Sequence, residues 1–320
     1  MNKYRRFFEV AVIGILAVFG TIALGVTPGI ADKRLQENQK GANQPTTVAD
    51  SLPVATSAAK SVANATVAGD AYSAKLPACA VNQQLSTDLQ WSFGVKPQRG
   101  WTIYEPLICQ IINADAGPAT DEFARKLARW QHSEGLRGTG VLDAETWGAM
   151  IRDLQSHRIK SSQYPDPDRL VTVASSQFWD PQRPEELRQV ERDAYAAYKR
   201  MISAAASDKS LGLSVSKSGE LLPEEHYLKI ISAFRPREYQ EQLRKQSPNA
   251  DRTSLAVNSP HFTGRALDLY VGGEPVSTKD ANRLIQTRTP IYRWLVKNAG
   301  RFGFKPYFYE PWHWEYVTAG

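Results

Sequence analysis

Hydrophobic and polar positions divide the chain into stretches of different periodicity. Apart from Glu9, an apolar stretch follows the first residues, and it is uncharged from Val10 to Val26. From about Asp32 to Ser73, Ala, Ser, Thr, Val, Gln and Asn dominate, with no aromatic residue until Tyr72. Such a segment cannot bury enough apolar surface to offset the entropy of ordering, so a flexible tether is predicted. Aromatics return at Trp91, Phe93, Trp101 and Tyr104 and mark the start of a folded unit. Phe123, Leu127, Trp130 and Gln131 line one side of a helix predicted over 121–134. After a glycine-rich turn, GLRGTG, Asp143 reads as the N-cap of a second helix with Trp147, Met150, Ile151 and Leu154 at i, i+3, i+4, i+7 spacing.

Residues 157–184 are polar and contain Pro165 and Pro167, which predicts a hinge. Pro184 is expected to open a long helix carrying Leu187, Val190, Ala194, Tyr198 and Met201. Short strands are predicted at 228–234 and 265–271, and a helix in PREYQEQLRKQ between them. Another helix begins at Thr289-Pro290 and stops at Gly300 and Gly303, before the strand-like segment YFYEPWHWEYV. Helices mixed with strands in this order indicate α+β: a small, mainly antiparallel sheet flanked by helices, preceded by a small helical domain.

Composition narrows the class. With 320 residues, 42% hydrophobic and 22% charged, the chain has room for two folded units, and wholesale disorder is excluded. The net charge of +6 comes from interleaved acids and bases rather than a basic run, so no nucleic-acid partner is expected. Lys3, Arg5 and Arg6 precede the apolar run, the arrangement of an export segment. Gly29 and Ala31 offer a cleavage site, while the run just reaches the length of a bilayer span. Residues 1–31 are therefore a cleaved signal or an inner-membrane anchor through residues 7–26. Either form places the remainder in the periplasm or cell envelope. In that oxidising setting Cys79 and Cys109 are expected to pair, closing a loop of about 30 residues worth about 3–4 kcal/mol, with two buried thiols as the alternative.

The chemistry concentrates near the end of the sequence. Of five histidines, His261 lies in SPHFTGRALDL, upstream of Asp268, and His313 lies in EPWHWEY, three residues after Glu310. A catalytic zinc site takes three N, S or carboxylate ligands, an open position for water and a carboxylate base. His261, Asp268 and His313 can form the tripod. On a regular strand Glu310 would face away from His313 while Glu315 would share its side, unless Pro311 ends the pairing. Glu310 and Glu315 thus both stand as candidate bases.

Two resemblances add to this reading. The string FARKLARWQHSEGLRGTGVLDAETWGAM resembles the second half of the small three-helix peptidoglycan-binding module, with Gln131, Gly135, Leu136, Thr139, Gly140, Leu142, Thr146 and Trp147 matching. It implies a wall-binding domain over 76–160 that contacts cell-wall glycan, after a tether at 32–75. SxHxxGxAxD followed by ExWHxEY resembles the VanY-type D-alanyl-D-alanine carboxypeptidases, implying a catalytic domain over 161–320. That resemblance implies Zn²⁺ on His261, Asp268 and His313, Glu310 as the catalytic base, Arg235 of SAFRPREYQ in an assisting role with Arg237 as a weaker rival, and Ser259 in contact with substrate. The implied reaction removes the terminal D-Ala from D-Ala-D-Ala in peptidoglycan stem peptides. The alternatives are an endopeptidase with the same metal kit and a non-catalytic wall-binding protein.

Overall fold

The computed structural model describes residues 76–246 and 259–317. The predicted export segment and tether lie outside them. The first unit contains α1 (Ala78–Asp88), the antiparallel hairpin β1 (Gln90–Phe93) and β2 (Lys96–Arg99), α2 (Glu105–Ile112), α3 (Asp121–Ser133) and α4 (Ala144–Ser156). Thr120 and Asp143 cap α3 and α4, accepting from Phe123 N at 3.2 Å and Thr146 N at 2.9 Å. Each satisfies an amide that the helix geometry leaves free.

The residues of the glycine-rich turn form a buried polar knot. Gly140 has φ +68°, and a Cβ there would meet the Ala124 carbonyl at 2.7 Å, so only glycine fits. Gln131 Oε1 accepts from Gly140 N at 2.8 Å, while its Nε2 donates to Thr146 Oγ1 at 2.9 Å. Asn82 of α1 closes the knot, donating to Gly140 O and accepting from Leu142 N, both at 2.8 Å. Around it Trp101 stacks on Phe123, and Leu127, Leu142, Trp147 and Met150 are buried. Cys79 and Cys109 are both free, contrary to the expected pairing. The Cys109 sulfur faces the Ala116 carbonyl at 3.9 Å, and burial pushes its thiol up to about 12. It behaves as a small, half-buried hydrophobe packed against the core.

The second unit begins with β3 (Leu170–Thr172), antiparallel to β4 (Gln189–Glu191), and α5 (Arg192–Ser207). The helix expected from Pro184 therefore starts eight residues late. Glu191 is its N-cap, accepting from Asp193 N and Ala194 N at 3.0 Å each, and the residues before it pair with β3 instead. The chain continues through β5 (Ile230–Ser232), α6 (Arg237–Gln246), β6 (Ala266–Leu269), α7 (Asp280–Arg288), α8 (Pro290–Asn298), β7 (Phe304–Pro306) and β8 (His313–Tyr316). The four-stranded sheet is antiparallel throughout, in the order β5-β6-β8-β7. The α+β expectation holds, and α7 was not foreseen. Leu267, Leu269 and Trp314 join the core with Tyr198, Met201 and Leu295. Asp268 and His313, one step along β6 and β8, point to the opposite face.

The units share a core. Tyr307, Phe308 and Tyr309, in the turn between β7 and β8, are buried with Trp101, Tyr104, Trp147 and other apolar residues of the first unit. Phe93 stacks on Tyr309 with ring centroids 4.7 Å apart. Arg283 of α7, fully buried, donates to Tyr104 Oη at 2.7 Å and Tyr309 O at 3.2 Å, and Asp280 accepts from its other arm at 2.7 Å. The hinge expected over 157–184 is likewise built into the structure. Arg158 and Ile159 bond to Glu315, and 170–172 forms β3. Among the described residues no helix is long and apolar enough to cross a membrane.

Phe308→Ala opens a cavity in this common core and should cost about 3–5 kcal/mol. Urea unfolding followed by tryptophan fluorescence and by far-UV circular dichroism should show one coincident, shifted transition. Two separable transitions would contradict a shared core.

Candidate metal centre

Ser259, Pro260 and Gly264 build the turn that presents His261. Ser259 Oγ caps the short helical turn Pro260–Thr263 by accepting from His261 N at 3.4 Å, and Pro260 occupies a position where its missing N–H costs nothing. Gly264 ends the turn at φ +66°, and a Cβ there would lie 3.0 Å from Glu191 N. Its carbonyl accepts from that same amide at 2.9 Å, so the turn is anchored to β4. The sheet supplies the other two groups. Asp268 on β6 and His313 on β8 are direct cross-strand partners.

His261, Asp268 and His313 are buried, and one ligand-type atom from each lies within 4.8 Å of the others. The outer hydrogen bonds define what each imidazole offers inward. His261 Nδ1 lies 2.7 Å from the Ala233 carbonyl, which only accepts, so Nδ1 carries the proton and Nε2 presents a lone pair. That Nε2 is 3.3 Å from Asp268 Oδ2. His313 Nε2 lies 3.1 Å from the Glu315 carboxylate and donates to it, which directs the Nδ1 lone pair at Asp268 Oδ1, 2.9 Å away. Lone pairs that converge on a carboxylate repel unless a positive charge sits between them. A proton or a divalent cation satisfies this arrangement, and the set of two imidazoles and one carboxylate suits zinc.

The electrostatics agree. Burial, with help from Arg235, pushes His261 down to about 4, so it stays neutral and available as a ligand. Burial disfavours charge on His313 too, but its hydrogen bonds to Asp268 and Glu315 prevail and lift it to about 9, so a proton lies between Nδ1 and Asp268 in the place a cation would otherwise take. Burial would raise the Asp268 carboxyl; the two histidines overcome that and hold it ionised, well below the ordinary range.

Arg235 follows β5 and reaches the cluster, its Nη2 3.4 Å from Asp268 Oδ2 and its Nε 3.4 Å from Ser232 Oγ. The rival Arg237 instead lies over the Tyr164 ring, 5.0 Å from its centroid. Glu310 sits in the tight turn before β8, its amide donating to Tyr307 O at 3.1 Å and its carbonyl accepting from His313 N at 2.9 Å. Pro311 thus ends regular pairing where the sequence reading required. Burial pushes the Glu310 carboxyl up to about 7, against the pull of His313.

Glu315 does share the side of His313, yet it is fully buried and fully engaged. Arg158 donates to its Oε1 from Nη2 at 2.5 Å and Nε at 2.8 Å, and Ile159 N donates to Oε2 at 2.6 Å. Burial would raise this carboxyl; His313, Arg158 and the amide together hold it down at about 2. Both of its oxygens are already engaged as acceptors by Arg158, the Ile159 amide and His313, the role of an anchor, which leaves Glu310 as the candidate base. Arg158 and the Ala233 carbonyl were missed in the sequence. Arg158 lies 157 residues from Glu315 in an unpatterned polar stretch, and a backbone carbonyl has no residue signature.

Comparison with known proteins places this site in context. Residues 187–319 match the family model described as VanY, D-alanyl-D-alanine carboxypeptidase. All eight candidate residues, the rivals Arg237 and Glu315 included, fall inside that span, and the first unit falls outside it. One solved structure, described as the LdcB LD-carboxypeptidase in a study of peptidoglycan recognition, is similar at 22% identity over 49% of this chain and 71% of that chain, with a TM-score of 0.34. No curated protein matches.

Glu315→Ala would leave a partly buried guanidinium and the Ile159 amide without their acceptor. It should lower stability by about 3 kcal/mol in urea titration at neutral pH. An unchanged midpoint would mean that the carboxylate is dispensable to the fold.

Proposed function

We propose that this protein is a zinc-dependent peptidase of the cell envelope that removes the terminal D-Ala from D-Ala-D-Ala in peptidoglycan stem peptides. The observation that carries the reading is the convergence of His261, Asp268 and His313 on one buried point, with Glu310 close enough to feel the charges of His313 and Asp268, inside the span that matches the carboxypeptidase family. His261 Nε2, His313 Nδ1 and an Asp268 carboxylate oxygen would hold the ion. When bound, zinc supplies Lewis acidity, lowering the pKa of a water to about 7 and polarising the scissile carbonyl.

The side chains do the rest. Glu310 takes the proton of the attacking water and returns it to the leaving amine, a role for which its position in the turn next to His313 suits it. Arg235 spends one arm on Asp268 and Ser232, and its remaining N–H groups stabilise the oxygen on which charge develops. Ser259, buried beside His261, has a hydroxyl that contacts the substrate at the mouth of the turn. Residues 161–320 form the catalytic part in this reading, and 76–160 attach to wall glycan through a unit whose motif residues Gln131, Thr139 and Gly140 are consumed by its own turn. The basic, apolar segment at 1–31, as signal or inner-membrane anchor, and the tether at 32–75 deliver both beyond the cytoplasm.

The test is digestion of defined pentapeptide muropeptides, with and without a chelator, read by product mass. Loss of one D-Ala that chelation abolishes and zinc restores is expected. Cleaved cross-links, or release of D-Ala from tetrapeptides only, would overturn the D,D-carboxypeptidase specificity. Glu310→Gln should keep one zinc per chain while turnover falls at least about 100-fold. Undiminished turnover would remove Glu310 from the reaction.

A further inference from the structure

Arg158 lies just beyond α4, outside the family-matched span, yet it reaches the metal cluster through one intermediary. Its Nε and Nη2 converge on Glu315 Oε1, the same oxygen that accepts from His313 Nε2. The neighbouring Ile159 amide takes Oε2, so both carboxylate oxygens are anchored from this segment. The guanidinium itself lies over the Tyr307 ring, its central carbon 3.8 Å from the centroid. Six residues on, Tyr164 stacks on Phe262, centroids 5.0 Å apart, and meets Phe234 edge-on at 6.0 Å. Phe262 adjoins His261 in sequence and Phe234 adjoins Arg235. The strap from Arg158 to Tyr164 therefore touches the chain neighbours of His261 and Arg235 as well as Glu315, the hydrogen-bond partner of His313.

We infer that Arg158 is a positioning residue of the metal centre. By fixing the Glu315 carboxylate it sets the tautomer and ring orientation of His313, so the segment leaving the first unit is a working part of the active site. The inference rests on the metal-site reading above. A plain inter-unit ion pair would contribute stability and nothing else. The arrangement here differs from that, because the shared oxygen couples the guanidinium to the imidazole that offers Nδ1 to the metal. Loss of such an outer partner weakens metal affinity about 10–100-fold.

The experiment compares zinc affinity of the full-length wild type, R158A and R158Q by competition with a chromogenic chelator, alongside the absorption spectrum of the cobalt-loaded proteins. A stability-only comparator is Gln131→Ala, which breaks the buried knot of the first unit, where every hydrogen bond of Gln131 stays within that unit. R158A should bind zinc about 10–100-fold more weakly, shift the cobalt spectrum and lower kcat with KM changed less than about threefold, whereas the Gln131 variant keeps wild-type affinity and spectrum. Wild-type affinity and spectrum in folded R158A would overturn the inference. Should R158A fail to fold, R158Q decides: weaker zinc binding supports the assignment, and unchanged binding overturns it. A wild-type chain that binds no divalent metal refutes the metal-site reading and the Arg158 role together.

Discussion

Asp268 holds a carboxylate almost wholly out of water, 2% exposed, and the surrounding structure is arranged around that fact. A charge in such a place has to be matched by donors or by opposite charge. The match arrives in layers. Two imidazoles and Arg235 face the carboxylate directly. Behind them Ala233 O and Glu315 hold the imidazoles, and behind Glu315 stand Arg158 and the Ile159 amide. Each layer answers a charge or an unpaired donor in the one inside it, so the burial of a single group propagates outward to a segment far away in sequence.

The same logic explains which parts of the molecule were legible in the sequence. Asp143 as an N-cap, the apolar stripe of α4 and the helix opening at Pro290 are local features, decided within a turn or two, and each is found where the pattern places it. His261, Asp268 and His313 stood out because they fall in register within two motifs that resemble those of one family, and the structure brings the three together. The late start of α5 was not, since pairing of 189–191 with 170–172 overrides a sequence that reads well as helix. The supposed hinge misled for a related reason. Polarity and proline describe a segment that forms little regular structure of its own, and they say nothing about what distant partners bind it. Glu315 illustrates the limit most sharply, because its place in the motif fits either a base or an anchor, and only Arg158 tells them apart.

The two units differ in kind but not in independence. The turn carrying Glu310 is bordered by Tyr307, Phe308 and Tyr309, whose rings complete the core around Trp147 and Tyr104. Arg283 ties the backbone of that turn to the first unit from within, satisfied on several sides at once. A rigid setting for Glu310 follows, for its neighbours on the amino side cannot shift without disturbing a packed interior.

The three aromatic rings also order events in time. A ribosome makes Trp91, Tyr104 and Trp147 long before it reaches Tyr307, and until then the first unit lacks the plug that fills its centre. The residues that supply the plug are followed at once by Glu310 and His313. Completing the first-made part of the molecule and bringing His261, Asp268 and His313 together are thus the same late step, and a half-made chain carries neither a finished interior nor that cluster.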